Sequence, residues 1–177
     1  MSAPLLIAMA GLPGTGKSTL AARLADALGG VVLCKDVVRA GLFPAPVLDY
    51  SSAQDEVAMS AVYAAASHIL KTRPARAVFL DGRTFCKPGQ LDAPLALAAS
   101  LGVSLRVIEC VCADEVVRAR LGSDHTAGTH LAGNRTPELY ARVKAAAVAL
   151  TVERLTLDTG ALTLEKCATR AMEYLSK

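Results

Sequence analysis

The sequence predicts an α/β fold in which a five-stranded parallel sheet lies between two layers of helices. Short apolar runs of strand length alternate with helical patterns along the whole chain, which is typical of βαβ units. Polar residues follow most of these runs, as expected where parallel strands end at one edge of a sheet. The chain has 177 residues, enough for one domain with a sizeable core, so we expect a single domain over residues 1–177.

The predicted strands share a short apolar run that ends at a turn residue or a polar group. They lie at residues 5–9, 31–34, 77–80, within 103–112, and at 154–157. The predicted helices share apolar side chains spaced three or four residues apart. They lie at residues 16–28, 36–42, 52–73, 88–101, 114–121, 137–150 and 164–175.

Local signals set several of these helix boundaries. Pro44 and Pro46 prevent the second helix from continuing, because proline has no backbone N–H and restricts the residue before it. Ser52 is the expected N-terminal cap of the third helix. Thr136 followed by Pro137 predicts the start of the sixth, with a capping hydroxyl and then proline at the first helical position.

Composition limits the possible classes of protein. Apolar residues make up 53% of the chain, much of it alanine, whereas aromatic residues make up 4% and tryptophan is absent. We therefore expect an aliphatic core, with alanine-rich helices packed closely on the sheet. The net charge is +3 and the basic residues are dispersed, which argues against a polynucleotide-binding surface without excluding a basic groove.

The expected location is the cytoplasm. The first nine residues lack the basic start of a signal peptide, and no apolar stretch reaches the roughly 20 residues needed to span a bilayer. The five cysteines are interpreted as reduced thiols, since no spacing among them is typical of zinc ligands. They are Cys34, Cys86, Cys110, Cys112 and Cys167.

The most specific motif is G-x-x-x-x-G-K-[ST], placed between the first predicted strand and the first predicted helix. Its residues are Gly11, Leu12, Pro13, Gly14, Thr15, Gly16, Lys17 and Ser18. The glycines allow successive N–H groups to point at a phosphate, and the helix N-terminus adds partial positive charge. Lys17 is expected to reach the β- and γ-phosphates, Ser18 to hold Mg²⁺, and Thr19 to contact the α-phosphate. The motif therefore predicts a nucleotide-binding protein with ATP and Mg²⁺ as cofactors.

Asp36 and Arg39 follow the second predicted strand with the spacing Asp-x-x-Arg. On the first turn of a helix both side chains can point toward one side of a cleft. The carboxylate could deprotonate an acceptor hydroxyl, and the guanidinium could bind an anionic group on the same acceptor. The alternative is an acid that complements the helix dipole and forms an ordinary surface ion pair.

Further polar residues follow the third and fifth strands. Asp81 ends an apolar strand, so it is a candidate for the magnesium shell, with a simple turn before Gly82 as the alternative. Arg83 is a candidate contact for an anionic substrate or the transferred phosphoryl group, unless it is a solvated loop arginine. Asp158 and Thr159 join this edge after the last strand.

Residues 122–135 form a polar, glycine-rich segment with no periodicity, flanked by Arg118, Arg120 and Arg135. We expect a lid over about residues 118–136, in which at least one arginine stabilises the transferred phosphoryl group and the lid excludes water. Pairing of these arginines with nearby acids is the alternative. His125 and His130 are interpreted as solvated loop residues, because no third metal ligand has suitable spacing.

Together these residues resemble the small P-loop kinases of the polynucleotide-kinase-like, zeta-toxin-like and gluconate-kinase-like group, AAA-type proteins with a three-layer fold. The resemblance implies the sheet order 2-3-1-4-5. It also implies that Asp36 is the general base, that Arg39 binds substrate, and that a lid arginine such as Arg120 contacts the nucleotide phosphates. Two positions depart from the group's pattern. Residues 123–125 lack an expected arginine, which transfers the lid role to Arg118 or Arg135, and residues 81–83 read Asp-Gly-Arg rather than Asp-Ala-Thr.

The expected function is ATP- and Mg²⁺-dependent transfer of the γ-phosphoryl group to a hydroxyl of a small-molecule acceptor. Tyr50, Ser51 and Arg83 are candidate acceptor contacts. A 5′-hydroxyl nucleic-acid kinase and a toxin-like or antibiotic-modifying phosphotransferase share this chemistry. A non-catalytic nucleotide-binding regulator is the alternative from another class. The sequence leaves open whether the protein is a monomer or a homodimer.

Overall fold

The computed structural model describes residues 4–72, 75–127 and 136–177, with only the backbone of residues 124–127. Five parallel strands form one sheet in the order β2-β3-β1-β4-β5. The strands are β1 (Leu5–Ala10), β2 (Val31–Cys34), β3 (Ala77–Asp81), β4 (Ser104–Val111) and β5 (Leu155–Asp158). Both the predicted fold class and the predicted strand order are confirmed.

Seven α-helices cover the two faces of the sheet in the described part of the chain. They are α1 (Lys17–Leu28), α2 (Lys35–Leu42), α3 (Ser52–Thr72), α4 (Asp92–Leu101), α5 (Asp114–Ala127), α6 (Pro137–Ala145) and α7 (Leu164–Leu175). A 3₁₀ turn, Ala45–Val47, follows α2 at the two prolines that were expected to stop it. None of the described helices is both long enough and apolar enough to cross a membrane.

The central strand β1 is apolar throughout because helices cover both of its faces. Its side chains alternate between the faces. Ile7 and Met9 pack in the core on the side of α1 and α7, whereas Leu6 and Ala8 pack in the core on the side of α3 and α4. None of the four has any exposed surface.

Small side chains let the helices approach the sheet closely. Ala21 of α1 and Ala171 of α7 are fully buried in one core, and Ala58 and Ala66 of α3 are fully buried in the other. The expected aliphatic core with alanine-rich helices is present. Since such a core is close-packed, the polar ends of the strands are held in fixed positions at one edge of the sheet.

Two of the predicted helix ends were wrong near the predicted lid. Helix α5 continues to Ala127 rather than stopping at residue 121, because an isolated Gly122 weakens a helix without ending it. The rest of the predicted loop, residues 128–135, lies outside the described residues. Helix α6 ends at Ala145 rather than at residue 150. The chain then extends so that Val148 N–H bonds to Cys86 O, and Leu150 packs under the sheet.

One predicted helix cap and one predicted helix start were also wrong. The hydroxyl of Ser51, rather than that of Ser52, caps α3 by accepting from the N–H of Gln54. Helix α4 begins at Asp92 rather than at residue 88, because the backbone turns at Gly89, where φ is 77°. The predicted cap of α6 is confirmed, since the Thr136 hydroxyl accepts from the N–H of Leu139.

Helix α6 is anchored to α5 by one buried tyrosine. Tyr140 packs against Val117 and Leu121 in a small core beside the main sheet. Its hydroxyl donates to Asp114 Oδ1 over 2.8 Å, and Lys144 Nζ donates to both oxygens of the same carboxylate. Burial and the bond to Asp114 raise the pKa of Tyr140 to about 12, so it remains a hydrogen-bond donor at neutral pH.

We expect Tyr140→Phe to lower the free energy of unfolding by about 1 kcal/mol, because the ring stays packed and only the hydrogen bond is lost. Urea unfolding followed by circular dichroism measures the change. The matched control is Tyr174→Phe, whose hydroxyl makes no hydrogen bond in the described structure, and we expect it to have a smaller effect. Equal losses of unfolding free energy in the two variants would contradict a stabilising hydrogen bond between Tyr140 and Asp114.

Candidate active site

The polar segments expected at one edge of the sheet do meet there. Residues 11–16 follow the end of β1, and Asp81 and Asp158 are the last residues of β3 and β5. Cys34, the last residue of β2, lies directly beside Asp81 in the strand register. Because all five strands are parallel, their carboxyl ends share this edge.

The phosphate-binding loop has the backbone that its glycines predict. The φ angles of Gly11, Gly14 and Gly16 are 126°, 77° and 79°, all in the region that favours glycine. A Cβ atom on Gly11 would lie 2.2 Å from the carbonyl oxygen of Cys110 in β4. The position therefore requires glycine both for its conformation and for the close approach of two backbones.

Side chains of the loop and of α1 form hydrogen bonds to a backbone carbonyl oxygen of the loop. Lys17 Nζ donates to the carbonyl oxygen of Leu12 over 2.7 Å, and the hydroxyl of Thr15 donates to the same oxygen over 2.8 Å. Lys17 is buried at the first position of α1. Its ammonium group therefore lies across the loop, at the helix N-terminus where anions bind.

A cavity of about 550 Å³ opens beside the loop, and we call it the donor cavity. Its lining combines loop residues with residues that follow β5 and residues of α5 and α7. They are Gly14, Gly16, Lys17, Ser18, Thr19, Leu20, Arg120, Ser123, Thr159, Leu162, Leu164 and Cys167. The predicted nucleotide contacts Thr19, Arg120 and Thr159 are thus brought together with the loop.

Arg120 connects three parts of the donor cavity. Its guanidinium donates to the carbonyl oxygen of Thr159 over 2.8 Å and to the hydroxyl of Thr159 over 3.1 Å. That hydroxyl in turn donates to the carbonyl oxygen of Thr15 over 2.8 Å. A guanidinium carried by α5 is therefore held at the wall of the cavity, next to Gly14.

Other predicted residues are not brought into the donor cavity. The carboxylate of Asp158 accepts from the N–H groups of Gly160 and Ala161 and stabilises its own turn. Arg118 is exposed on α5 and lines neither of the two cavities described here. The predictions for Arg135 and His130 lie outside the described residues, as does the side chain of His125.

Ser18 and Asp81 form the candidate magnesium site. The hydroxyl of Ser18 donates to Asp81 Oδ2 over 2.7 Å, and Asp81 is 1% exposed. The second oxygen, Oδ1, is buried without a hydrogen-bond partner in the described structure. An orphaned carboxylate oxygen beside a hydroxyl fits Mg²⁺, which takes few protein ligands and keeps waters and phosphate oxygens. No group of three or more His, Cys, Asp or Glu side chains that could hold a metal ion occurs among the described residues.

A second cavity, of about 450 Å³, lies beyond Pro13, and we call it the acceptor cavity. Its lining is strongly charged and comes from five parts of the chain. The residues are Pro13, Lys35, Asp36, Arg39, Tyr50, Ser52, Asp55, Gly82, Arg83, Thr84, Lys87, Gln90, Leu139, Arg142, Val143 and Ala146. The predicted substrate residues Asp36, Arg39, Tyr50 and Arg83 are all present.

Four charged side chains form a network in the acceptor cavity. Arg39 donates to Asp36 over 2.9 Å and to Asp55 over 2.5 Å. Lys35 donates to Asp55 over 2.9 Å and lies 3.8 Å from Asp36. The ring of Tyr50 covers the Arg39 guanidinium at 4.6 Å. Arg39 is therefore enclosed by two carboxylates and an aromatic ring, so its main effect is to orient those carboxylates.

Gly82 brings this network close to the candidate magnesium site. Its φ is 89°, and a Cβ atom there would lie 2.9 Å from the Cβ of Lys35. The end of β3 can therefore pack directly against the start of α2. This contact explains why glycine follows Asp81, where the resembling kinases more often have alanine.

The family comparison agrees with this geometry. The family model AAA_33, described as an AAA domain, matches residues 6–130. The chain belongs to this family. Its resemblance to the small P-loop kinases is thereby confirmed at the level of family and fold. No match was found among curated protein sequences.

Solved structures similar to this AAA_33 domain cover nearly its full length. A protein from Chloroflexus aurantiacus J-10-fl has a TM-score of 0.77 with 22% identity, over 97% of this chain and 98% of that one. The Mycobacterium tuberculosis APS kinase CysC, in complex with AMPPNP and APS, has a TM-score of 0.71 with 17% identity and full coverage of both chains. A gluconokinase from Sinorhizobium meliloti 1021 has a TM-score of 0.63 with 16% identity, over 98% of this chain and 92% of that one. At these identities the similarity establishes a shared fold.

Three cysteines of the AAA_33 domain are poorly suited to act as nucleophiles. Burial raises the pKa of Cys110 to about 12 and also raises the pKa of Cys34 and Cys167 above the ordinary value. These thiols therefore stay protonated at neutral pH. All five cysteines are free, in agreement with the expected reduced state.

Several residues of the acceptor cavity were missed by sequence reasoning. Asp55, Lys87 and Arg142 each lie in a segment with no motif, and they reach the cavity only through the packing of α3, of the loop after β3, and of α6. Ser51, a predicted acceptor contact, instead caps α3. Arg83 lines the cavity and is paired with Glu56 of α3.

We expect Asp81→Asn to weaken Mg²⁺ binding by about 10–100-fold, because the amide keeps the bond to Ser18 but removes the charge. Calorimetric titration with AMPPNP in Mg²⁺ and in EDTA measures the gain in affinity due to the metal. Asp26→Asn, an exposed change on α1, is the control. If Mg²⁺ increased the AMPPNP affinity of Asp81→Asn as much as that of the unsubstituted protein, the assignment of Asp81 to the magnesium site would be contradicted.

We expect Arg120→Gln to raise the Kd of ATP about tenfold, since a charged group at the cavity wall is removed. Arg76→Gln, an exposed change just before β3 that lines neither cavity, should leave ATP affinity within about twofold. Calorimetry on both variants makes the comparison. If Arg76→Gln weakened ATP binding as much as Arg120→Gln, the structural assignment would be wrong.

Proposed function

We propose that this AAA_33 domain is a kinase that uses ATP and Mg²⁺ to phosphorylate a hydroxyl group of a small molecule. One observation carries the proposal: two cavities flank the same phosphate-binding loop, with Pro13 lining one and Gly14 the other. Phosphoryl transfer requires a donor and an acceptor in line on opposite sides of the moving group. A protein that only bound nucleotide would need the donor cavity alone.

The donor cavity suits a nucleoside triphosphate. The backbone N–H groups of the loop, Lys17 and Arg120 would bind its phosphates. Ser18 and Asp81 would hold Mg²⁺, which supplies positive charge to the β- and γ-phosphates. The complex of the structurally similar APS kinase with AMPPNP supports this choice of donor.

Asp36 is the proposed general base. It is buried in the acceptor cavity, and Arg39 fixes its orientation. As the acceptor oxygen forms its bond to the γ-phosphorus, its proton passes to the Asp36 carboxylate. The bond from that phosphorus to the bridging oxygen breaks, and ADP leaves. Arg118 and Arg135 remain the predicted lid residues that stabilise the transferred group.

The size of the acceptor cavity favours a small molecule. A volume of about 450 Å³ falls in the range of ordinary ligand pockets. Two structural neighbours are named as an APS kinase and a gluconokinase, and both names indicate a small-molecule acceptor. The buried carboxylate of Asp36, held beside the half-buried carboxylate of Asp55, favours the kinase over the nucleotide-binding regulator.

We expect Asp36→Asn to lower kcat by about 10²–10⁴-fold while ATP affinity stays within about twofold. Asparagine keeps an oxygen for Arg39 but cannot accept the proton. A screen of sugars, nucleosides, aminoglycosides and other hydroxylated metabolites, read by ADP release and product mass, first identifies an acceptor.

Asp55→Asn is the matched control, since Asp55 contacts the same arginine but is proposed only to position it. We expect the kcat of this variant to fall much less than that of Asp36→Asn. Substantial turnover by Asp36→Asn with a genuine acceptor would exclude Asp36 as the base.

A further inference from the structure

The acceptor cavity contains more positive than negative charge. Its lining includes five cationic side chains and two carboxylates. The cations are Lys35, Arg39, Arg83, Lys87 and Arg142, and the carboxylates are Asp36 and Asp55. The charge is therefore unbalanced, and the pairing of these groups shows where the excess lies.

Three of the five cations are already compensated. Lys35 and Arg39 share the carboxylates of Asp36 and Asp55 in the network beside the loop. Arg83 is paired with Glu56, which contacts it from α3. Among the residues that the structure describes, the positive charge that remains uncompensated is carried by Lys87 and Arg142.

Lys87 and Arg142 have no acidic partner in the described part of the chain. Both are exposed residues that nevertheless line the cavity. The only other basic side chain on α6, that of Lys144, is bound to Asp114. Charged groups in a concave site act on a ligand more strongly than isolated surface charges.

The two cations belong to segments that the backbone ties together. Val148, just after α6, donates its N–H to the carbonyl oxygen of Cys86 over 2.8 Å, next to Lys87. The side-chain oxygen of Gln90 accepts from the backbone N–H of Lys87 and from the hydroxyl of Thr84. The loop that carries Lys87 is thus held in place both by the segment after α6 and by its own glutamine.

We propose that the acceptor is an anionic alcohol whose carboxylate or phosphate group binds Lys87 and Arg142 while its hydroxyl faces Asp36. This inference rests on the proposed kinase function and narrows its substrate class. The lining also includes Leu139 and Val143, whose apolar side chains suit a carbon skeleton. An arginine and a lysine on different segments provide charge-assisted donors for one anionic group.

The test compares acceptors that share a skeleton and differ in charge. The first series is D-glucose, D-gluconate and D-glucose 6-phosphate, and the second is glycerol, D-glycerate and glycerol 3-phosphate. We expect a charged member to have the highest kcat/KM, and its identity distinguishes carboxylate from phosphate. A preference for the neutral member, or no preference, overturns the proposal.

Variants then locate the binding group. Arg142→Gln and Lys87→Gln should each raise KM for the charged acceptor about tenfold, with kcat and KM for ATP within about threefold. Lys71→Gln, an exposed change on α3 away from both cavities, controls for net charge. Unchanged KM in both cavity variants overturns the assignment of these residues.

Failure of the kinase proposal gives a different result. If neither series nor the wider screen yields phosphorylated product, the proposed activity is wrong. The anion-binding site at Lys87 and Arg142 is then tested by itself. Inorganic phosphate is titrated calorimetrically into the protein after AMPPNP and Mg²⁺ have filled the donor cavity. Phosphate binding that weakens in Arg142→Gln and Lys87→Gln but not in Lys71→Gln supports the anion-binding site. Phosphate binding that is absent, or equal in all variants, overturns it.

Discussion

The close contact between the phosphate-binding loop and β4 is the constraint on which the rest of the site depends. Gly11 passes so near the carbonyl oxygen of Cys110 that no side chain fits between them. On its other side, the N–H of Gly11 donates to the carbonyl oxygen of Thr84 over 2.9 Å. The loop is thus fixed from two directions, by the strand beside it and by the segment that follows β3. Both cavities take their common wall from this one fixed turn.

The pair of helices α5 and α6 connects the two halves of the site. Arg120 of α5 lies in the donor cavity, and Arg142 of α6 lies in the acceptor cavity. Tyr140 packs the two helices together, and its bond to Asp114 fixes their relative position. Residues that would recognise the two substrates therefore belong to one packed unit, so a displacement of that unit would change both cavities at once.

The features that sequence predicts best here are local ones. The apolar runs and the glycine motif act over a few residues, and they were sufficient for the strands, the sheet class and the phosphate-binding loop. The end of α5 was missed because buried Leu121 and the packing around it outweigh the weak effect of Gly122. Asp55 and Lys87 were missed because no short-range pattern shows that α3 and the loop after β3 reach one cavity.

The placement of Pro13 and Gly14 has a consequence for the distance over which the phosphoryl group would travel. These neighbours in the chain line different cavities. Consecutive Cα atoms are about 3.8 Å apart, so the linings of the two cavities come within one peptide unit of each other at this turn. A single turn of backbone therefore borders both cavities. In the proposed reaction this turn would keep the donor and the acceptor close together, so that transfer would need no long movement of either substrate.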